Sequence, residues 1–331
     1  MSRLIDPLKV GRLNLRNRIV MPPMATEYAT QDGEATEKHV QHYGRRCKGL
    51  GLLIVEHTFV TPEGRLSRHQ LGIQFDALIP KLRRVVEVVH EQNTPIALQI
   101  THAGGATTRE VAGVQPQAPS AVVGPRGGEV PRELRKEEIE AISGAFAEAA
   151  RRAEEAGFDA VEIHGAHGFL LNQFLSPLTN RRIDEYGGTI QNRLRFSLDI
   201  ISRIRDALGS DYPLLYRLGA EDGVQGGLLL EEGVRAAEIL SRAGVSIIDV
   251  SGGLGGSRPS DLVGPGLFVP QAAVVRKAVD VPVIGVGGIT TPEEADSIVL
   301  SGKVDLVAVG RAMLKDPDWA TKAVNRLKKS K

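Results

Sequence analysis

Eight times along the chain, a short apolar run rich in β-branched residues is followed by an amphipathic stretch with helical period, and few folds accommodate that alternation. The runs cover 18–21, 52–55, 96–100, 160–164, 214–218, 247–250, 283–286 and 306–309. Each is apolar nearly throughout, as expected of parallel strands buried on both faces. The helical stretches cover 36–48, 76–92, 136–156, 191–208, 230–243, 270–279, 292–300 and 316–327. Local signals support several ends. Thr291-Pro292-Glu293-Glu294 joins an N-cap threonine, a first-turn proline and a capping-box glutamate. Gly49, Gly157 and Gly244 each end a helix before the next strand.

Eight βα pairs predict an α/β fold, a single (β/α)8 TIM barrel spanning 1–331. Such a barrel needs roughly 250 residues, and the surplus among the 331 falls after strands 3 and 4, over 104–135 and 165–190. Both insertions follow C-terminal strand ends, the face on which barrel enzymes carry their sites. An open doubly wound sheet would place a Gly-rich nucleotide turn after the first strand, but Pro22-Pro23-Met24-Ala25 stands there.

Composition limits function further. With 41 Lys+Arg against 40 Asp+Glu the net charge is +1, so nothing electrostatic draws the chain to nucleic acid or an anionic membrane. No apolar run approaches the roughly 20 residues of a membrane span, and the start lacks a signal-peptide core. A cytoplasmic, soluble protein is expected, acting on a small molecule, with a homo-oligomer left open. Cys47 is the one cysteine, which excludes intrachain disulfides and any cluster or zinc site needing several thiolates. Arg45, Arg46 and Lys48 beside it could lower its pKa, yet an inert thiol is expected.

The chemistry gathers at strand ends. Gly285-Val286-Gly287-Gly288 after strand 7 and Gly310-Arg311 after strand 8 let backbone N–H groups and a guanidinium approach a phosphate. Tight turns alone would explain either loop singly, whereas the pair points to a phosphorylated ligand. His164 and His167 close strand 4, three residues apart, where both can reach one acceptor oxygen. A metal pair is the competing use; it needs further ligands, from His57, His102 or Glu162. Arg217 and Gln99 interrupt apolar strands, and a buried arginine must be paired, by a carboxylate or by a ligand. Gln99 is equally readable as a satisfied core amide.

These residues resemble the FMN-dependent old yellow enzyme family of ene-reductases, also called NADH:flavin oxidoreductases, over nearly the whole chain. The likeness is carried by Asn17-Arg18-Ile19-Val20-Met21-Pro22-Pro23-Met24, Gln99-Ile100-Thr101-His102-Ala103-Gly104 and Glu162-Ile163-His164-Gly165-Ala166-His167-Gly168-Phe169-Leu170. Phe174-Leu175-Ser176-Pro177-Leu178-Thr179-Asn180 through Asp184-Glu185-Tyr186-Gly187-Gly188 to Asn192-Arg193 extends it. The resemblance implies that Pro22, Pro23, Met24, Ala25 and His57 line the flavin, that Gln99 reads its pyrimidine edge, and that Arg217 stabilises the reduced ring's charge. It also implies that Gly287, Gly288, Gly310 and Arg311 cradle the FMN phosphate and that His164 and His167 hold a substrate carbonyl. The implied reaction passes hydride from NADPH or NADH through FMN to the β-carbon of an activated alkene.

Three positions depart from the family pattern. Phe169 stands where many members have a proton-donating tyrosine, so the proton has to come from Tyr28, Glu27 or water. Ala25 replaces a cysteine or threonine that tunes flavin potential. Gly105 replaces an arginine. The likeness is strongest to the branch containing the barrel domain of 2,4-dienoyl-CoA reductases, whose larger members add an iron–sulfur cluster and further nucleotide domains. One cysteine in 331 residues suits neither addition, so electrons are expected directly from NAD(P)H or an external partner. The alternatives are an FMN-dependent dehydrogenase on the same barrel, a non-catalytic FMN-binding subunit, and a flavin-free phosphosugar enzyme.

Overall fold

Side chains alternate across a strand, so a strand apolar at every position needs cover on two sides, and a closed barrel wrapped in helices supplies it. The computed structural model describes residues 3–125, 127–257 and 264–329. An antiparallel hairpin of β1 (Leu8–Val10) and β2 (Leu13–Leu15) comes first. It is followed by β3 (Ile19–Met21), α1 (Glu37–Gly44), β4 (Leu52–Phe59), α2 (Ile79–His90) and β5 (Ile96–Thr101). The expected insertion over 104–135, whose Arg126 lies outside the described residues, holds α3 (Arg109–Ala112) and the two-residue strands β6 (Gln117–Ala118) and β7 (Arg132–Glu133).

Next come α4 (Lys136–Ala156), β8 (Ala160–Gly165), α5 (Leu170–Leu175), α6 (Ile190–Leu208), β9 (Leu214–Gly219) and α7 (Leu230–Arg242). The order ends with β10 (Ile247–Ser251), α8 (Val269–Ala278), β11 (Val283–Val286), α9 (Pro292–Leu300), β12 (Leu306–Ala308), α10 (Arg311–Lys315) and α11 (Trp319–Lys329). Eight strands close in the order β10-β11-β12-β3-β4-β5-β8-β9, every neighbour parallel. The expected TIM barrel is therefore the fold, with both insertions at the predicted strand ends.

Two hydrophobic layers divide the work. The outer one packs Leu53, Val55, Leu98, Val161, Ile163, Leu218 and Val250 of the strands against helical residues such as Phe146, Ile200 and Leu240. The inner one joins Leu52, Ile54, Ala97, Ala160, Leu215, Ile247 and Ile284 to Val10, Leu13 and Leu15. The hairpin therefore plugs the barrel's N-terminal end. Its strands are three residues each, too short for a periodic signal, and the sequence reading leaves them unassigned.

Other boundaries differ for local reasons. The strand expected over 52–55 runs on to Phe59, with a register shift between Val55 and Thr58, a bulge of the kind that re-aims a side chain next to a site. The helix expected from 316 starts at Trp319, and α10 precedes it directly after Gly310. The helix expected over 36–48 ends at Gly44, because the chain must turn before β4. Among the described residues no helix is long and apolar enough to cross a membrane.

Leu15 is 1 % exposed within the inner layer. Truncation to Ala leaves a cavity beneath the barrel and is expected to cost about 2–5 kcal/mol. A fall in the urea midpoint is the expected result of measuring the unfolding transition.

Candidate active site

Along four neighbouring strands the inward-facing positions change from apolar to polar toward the C-terminal end. On β5 they read Ala97, Gln99, Thr101; on β8, Ala160, Glu162, His164; on β9, Leu215, Arg217; on β10, Ile247, Asp249, Ser251. The two-residue period puts each set on one face, and register sets Gln99 beside Glu162 and Asp249 beside Arg217. Above this polar layer opens a cavity of about 1160 Å³. Pro22, Pro23, Met24, Ala25, His57, Gln99, His164, His167, Arg217, Gly287, Gly288, Gly310 and Arg311 all line it. Residues scattered over nearly 300 positions thus meet on one wall.

Tyr28 is not brought to that wall. Its ring packs edge-on against His39 and His42, with centroids 5.8 and 5.9 Å away. The Glu27 carboxylate instead accepts the Ser67 hydroxyl at 2.7 Å.

At the β11 and β12 end the backbone itself forms the wall. Gly287 and Gly288 have φ of +116° and +64°, and an added Cβ would lie 2.7 Å from Leu267 Cβ and 2.3 Å from the Gly264 carbonyl oxygen respectively. Only glycine suits both the backbone angles and the space. A Cβ on Gly310 would come 3.0 Å from Met24 Sδ, and Arg311 follows it on α10. This is a narrow backbone cradle with one guanidinium at its edge, the chemistry a phosphate needs.

The floor carries two carboxylates and one cation. Arg217 Nε stands 3.4 Å from Asp249 Oδ2, with both side chains nearly solvent-free. Gln99 Nε2 donates to Glu162 Oε1 at 2.8 Å, which turns the amide oxygen of Gln99 the other way. Burial, reinforced by the charge of Asp249, pushes the Glu162 carboxyl up to about 8, against the pull of Arg217 and Gln99. Burial raises Asp249 as well, and Arg217 opposes it. Arg217 Nε, Glu162 Oε2 and both Asp249 oxygens have no hydrogen-bond partner among the described residues. Buried polar groups are rarely left so.

Higher up, four side chains form a relay. Thr101 Oγ1 lies 3.2 Å from His164 Nδ1, His164 Nε2 lies 3.0 Å from His167 Nδ1, and His167 Nε2 lies 2.7 Å from Ser251 Oγ. His167 has φ of +58°, a left-handed conformation that is costly for a non-glycine residue. The Phe169 ring packs 4.4 Å from His164, centroid to centroid. His57, inside the β4 bulge, stacks parallel to His164 at 6.3 Å. Its Nδ1 pairs with Gln70 Nε2 at 2.6 Å, and burial lowers its pKa, so it stays neutral.

Several contributors are missing from the sequence reading. Glu56, 2 % exposed, accepts from the Thr26 backbone and, at 2.6 Å, from the Thr26 hydroxyl, and pairs with His39 Nε2 at 3.1 Å. Burial alone would raise its pKa, but the hydrogen bonds from His39 and Thr26 hold it below the usual value. A buried carboxylate thereby fixes the segment that carries Pro22 to Ala25. Asp249, Thr101 and Ser251 are not legible in the sequence as site residues, because the group each one faces lies on a neighbouring strand or loop. A second cavity of about 340 Å³, lined by Gly105, Ala106, Ala118, Val122 and Leu254, shares Phe169 with the first.

Cys47 is fully buried, its thiol donates to the Gly44 carbonyl at 3.3 Å, and burial pushes it up to about 11 despite the neighbouring cations. It stays a protonated core thiol. Among the described residues no three His, Cys, Asp or Glu side chains are grouped to hold a metal ion.

These residues fit FMN. The glycine cradle and Arg311 suit a phosphate, the Gln99 amide suits a donor-and-acceptor ring edge, and the Arg217 guanidinium, ion-paired with Asp249 but without a hydrogen bond at Nε among the described residues, suits a heterocycle that gains negative charge on reduction. Known proteins agree. The NADH:flavin oxidoreductase / NADH oxidase family matches residues 3–330. An NADH oxidase of Thermoanaerobacter brockii is 45% identical over 95% of this chain, which spans 50% of that protein. An NADPH dehydrogenase of Geobacillus thermodenitrificans is 41% identical over 98% of this chain and 94% of its own length. The solved old yellow enzyme homologue from Zymomonas mobilis superposes with a TM-score of 0.87 at 30% identity, covering 98% of this chain and 93% of that one. The chain belongs to the NADH:flavin oxidoreductase / NADH oxidase family and is an FMN-dependent, NAD(P)H-using oxidoreductase of the old yellow enzyme type.

Proposed function

We propose that this chain, as one barrel unit, is an ene-reductase that delivers hydride to the β-carbon of an α,β-unsaturated carbonyl. The observation that carries the reading is the Thr101–His164–His167–Ser251 relay, whose histidines and serine line the large cavity. Bound FMN supplies the hydride acceptor for NAD(P)H and the hydride donor for the alkene. Pro22 to Ala25, His57, Gln99 and Arg217 would hold its ring, and Gly287, Gly288, Gly310 and Arg311 its phosphate.

The histidines supply polarisation. If Thr101 donates to His164 Nδ1 and Ser251 to His167 Nε2, the two facing nitrogens, His164 Nε2 and His167 Nδ1, are the ones left to carry hydrogens. The 3.0 Å line between the rings takes one hydrogen, one nitrogen donating and the other accepting, so a hydrogen on both nitrogens needs a second acceptor. A carbonyl oxygen placed between them accepts both, and its charge grows as hydride reaches the β-carbon. The hydroxyls of Thr101 and Ser251 thus set the tautomers that make the pair a double donor. The phenyl ring of Phe169 holds His164 in place but donates nothing. With Tyr28 on His39 and Glu27 on Ser67, solvent entering by the mouth is the proposed source of the proton for the α-carbon.

The test of the whole reading is an anaerobic visible spectrum of the FMN-loaded protein. Bleaching by NADPH or NADH and return of the yellow absorbance on adding 2-cyclohexenone is the expected sequence. Bleaching without return would assign the electrons to a different oxidant, as in an FMN-dependent dehydrogenase. His164→Ala and His167→Ala are each expected to lower kcat/KM for cyclohexenone about 10²-fold or more while FMN stays bound. Tyr28→Phe and Glu27→Gln are expected to keep turnover within about twofold; a 10²-fold loss in Tyr28→Phe, the scale of general-acid catalysis, would return the proton to the phenol.

A further inference from the structure

The polar floor poses a charge problem that the proposed reaction does not use. Two carboxyl groups, Glu162 and Asp249, both fully buried, share one guanidinium. With both ionised, the floor carries a net negative charge in a region closed off below by the inner apolar layer. An unneutralised buried charge of that kind is strongly disfavoured, and one proton removes it. Glu162 is the better place for that proton. Asp249 has Arg217 Nε at 3.4 Å, whereas Glu162 takes a hydrogen bond from the neutral Gln99 amide on one oxygen and, among the described residues, none on the other.

We propose that Glu162 and Asp249 form a one-proton site beneath Arg217, and that its protonation state sets the reduction potential of the cofactor seated against Arg217. The inference rests on the FMN assignment above, and it makes Glu162 and Asp249 positioning residues acting through Arg217. The charged and titratable groups facing Glu162 are Asp249 from β10, Arg217 from β9 and, two residues further along its own strand, His164; β5 presents the uncharged Gln99. The raised pKa of both carboxyls agrees with this placement.

The sign follows from charge alone. When the site holds its proton, Arg217 and the ionised partner cancel, and added electrons meet a neutral floor. When the proton leaves, the floor becomes negative and opposes reduction. The wild-type potential should therefore fall more steeply with pH than that of Glu162→Gln, which is neutral throughout. The release lies around the upward-shifted pKa of Glu162, about 8, so pH 6 and pH 10 bracket it.

Two measurements test this. Potentiometric titration of the FMN-loaded protein should give equal potentials for wild type and Glu162→Gln at pH 6, with wild type more negative at pH 10. In the flavin-free protein, infrared difference spectra between those pH values should show a protonated-carboxyl stretch that disappears in wild type and is absent from Glu162→Gln. Asp249→Asn leaves Glu162 alone with Arg217, and its carboxyl stretch should disappear at lower pH than in wild type. Potentials that stay equal, or equally separated, at both pH values overturn the proposal, as does the absence of a titrating carboxyl. The infrared measurement needs no cofactor, so failure of FMN to bind overturns the functional reading without being confused with failure of the proton site.

Discussion

A closed parallel barrel hides both faces of every strand, so a polar side chain pointing inward has no water to turn to. In this molecule the inner positions obey that constraint in two different ways. At the hairpin end they are apolar and packed by Leu13 and Leu15. At the other end they are polar, and each must be satisfied by a neighbour or by a ligand. Gln99 satisfies one oxygen of Glu162 and leaves the other bare among the described residues, and the histidines are paired with Thr101 and Ser251. Arg217 Nε and Asp249 are left with a 3.4 Å approach and, among the described residues, no hydrogen bond. The place where internal satisfaction runs out is the place where a ligand belongs.

The surrounding elements hold that layer still. Glu56 fixes the Thr26 backbone from behind and thereby the Pro22 to Ala25 wall. On the far side Asp222 accepts from Ser176 Oγ at 2.6 Å and from the backbone of Leu228 and Leu254 at 2.7 and 2.8 Å, tying the loops after β8, β9 and β10 together. Gly168 N donates to Asn172 Oδ1 at 2.8 Å just after the left-handed His167. Strain at one histidine is thus carried by a braced loop.

What the sequence made legible is set by the range of the signal. Eight apolar runs alternating with helical periods are each local, and they give the barrel and its strand order directly. The His164–His167 pair, Arg217, Gln99 and the paired glycine loops are legible because each breaks a local pattern at a strand end. Asp249 breaks its run no less than Arg217 does, but nothing in Ile247-Ile248-Asp249-Val250 says that the neighbouring strand carries its counter-charge. Ser251 and Thr101 look like ordinary strand termini until His167 and His164 arrive. Glu56 is invisible as an anchor because its partners are Thr26 and His39, on a loop and a helix. Tyr28 lies close in sequence to Ala25, yet its ring belongs to the His39–His42 face rather than to the cavity. Pairing across strands and the direction of a loop are relations, and a single segment does not contain them.

The hairpin at the bottom of the barrel has a practical meaning. Because it stoppers one end, everything that enters or leaves does so at the other, and the two ends can be altered independently. The hairpin's turn is held by Gly11, where an added Cβ would find only the Asp211 carbonyl, 3.8 Å away. That turn faces away from the mouth and is a natural attachment point: a surface linker or a fused carrier joined there would hold the enzyme by its base and leave the mouth open to solution.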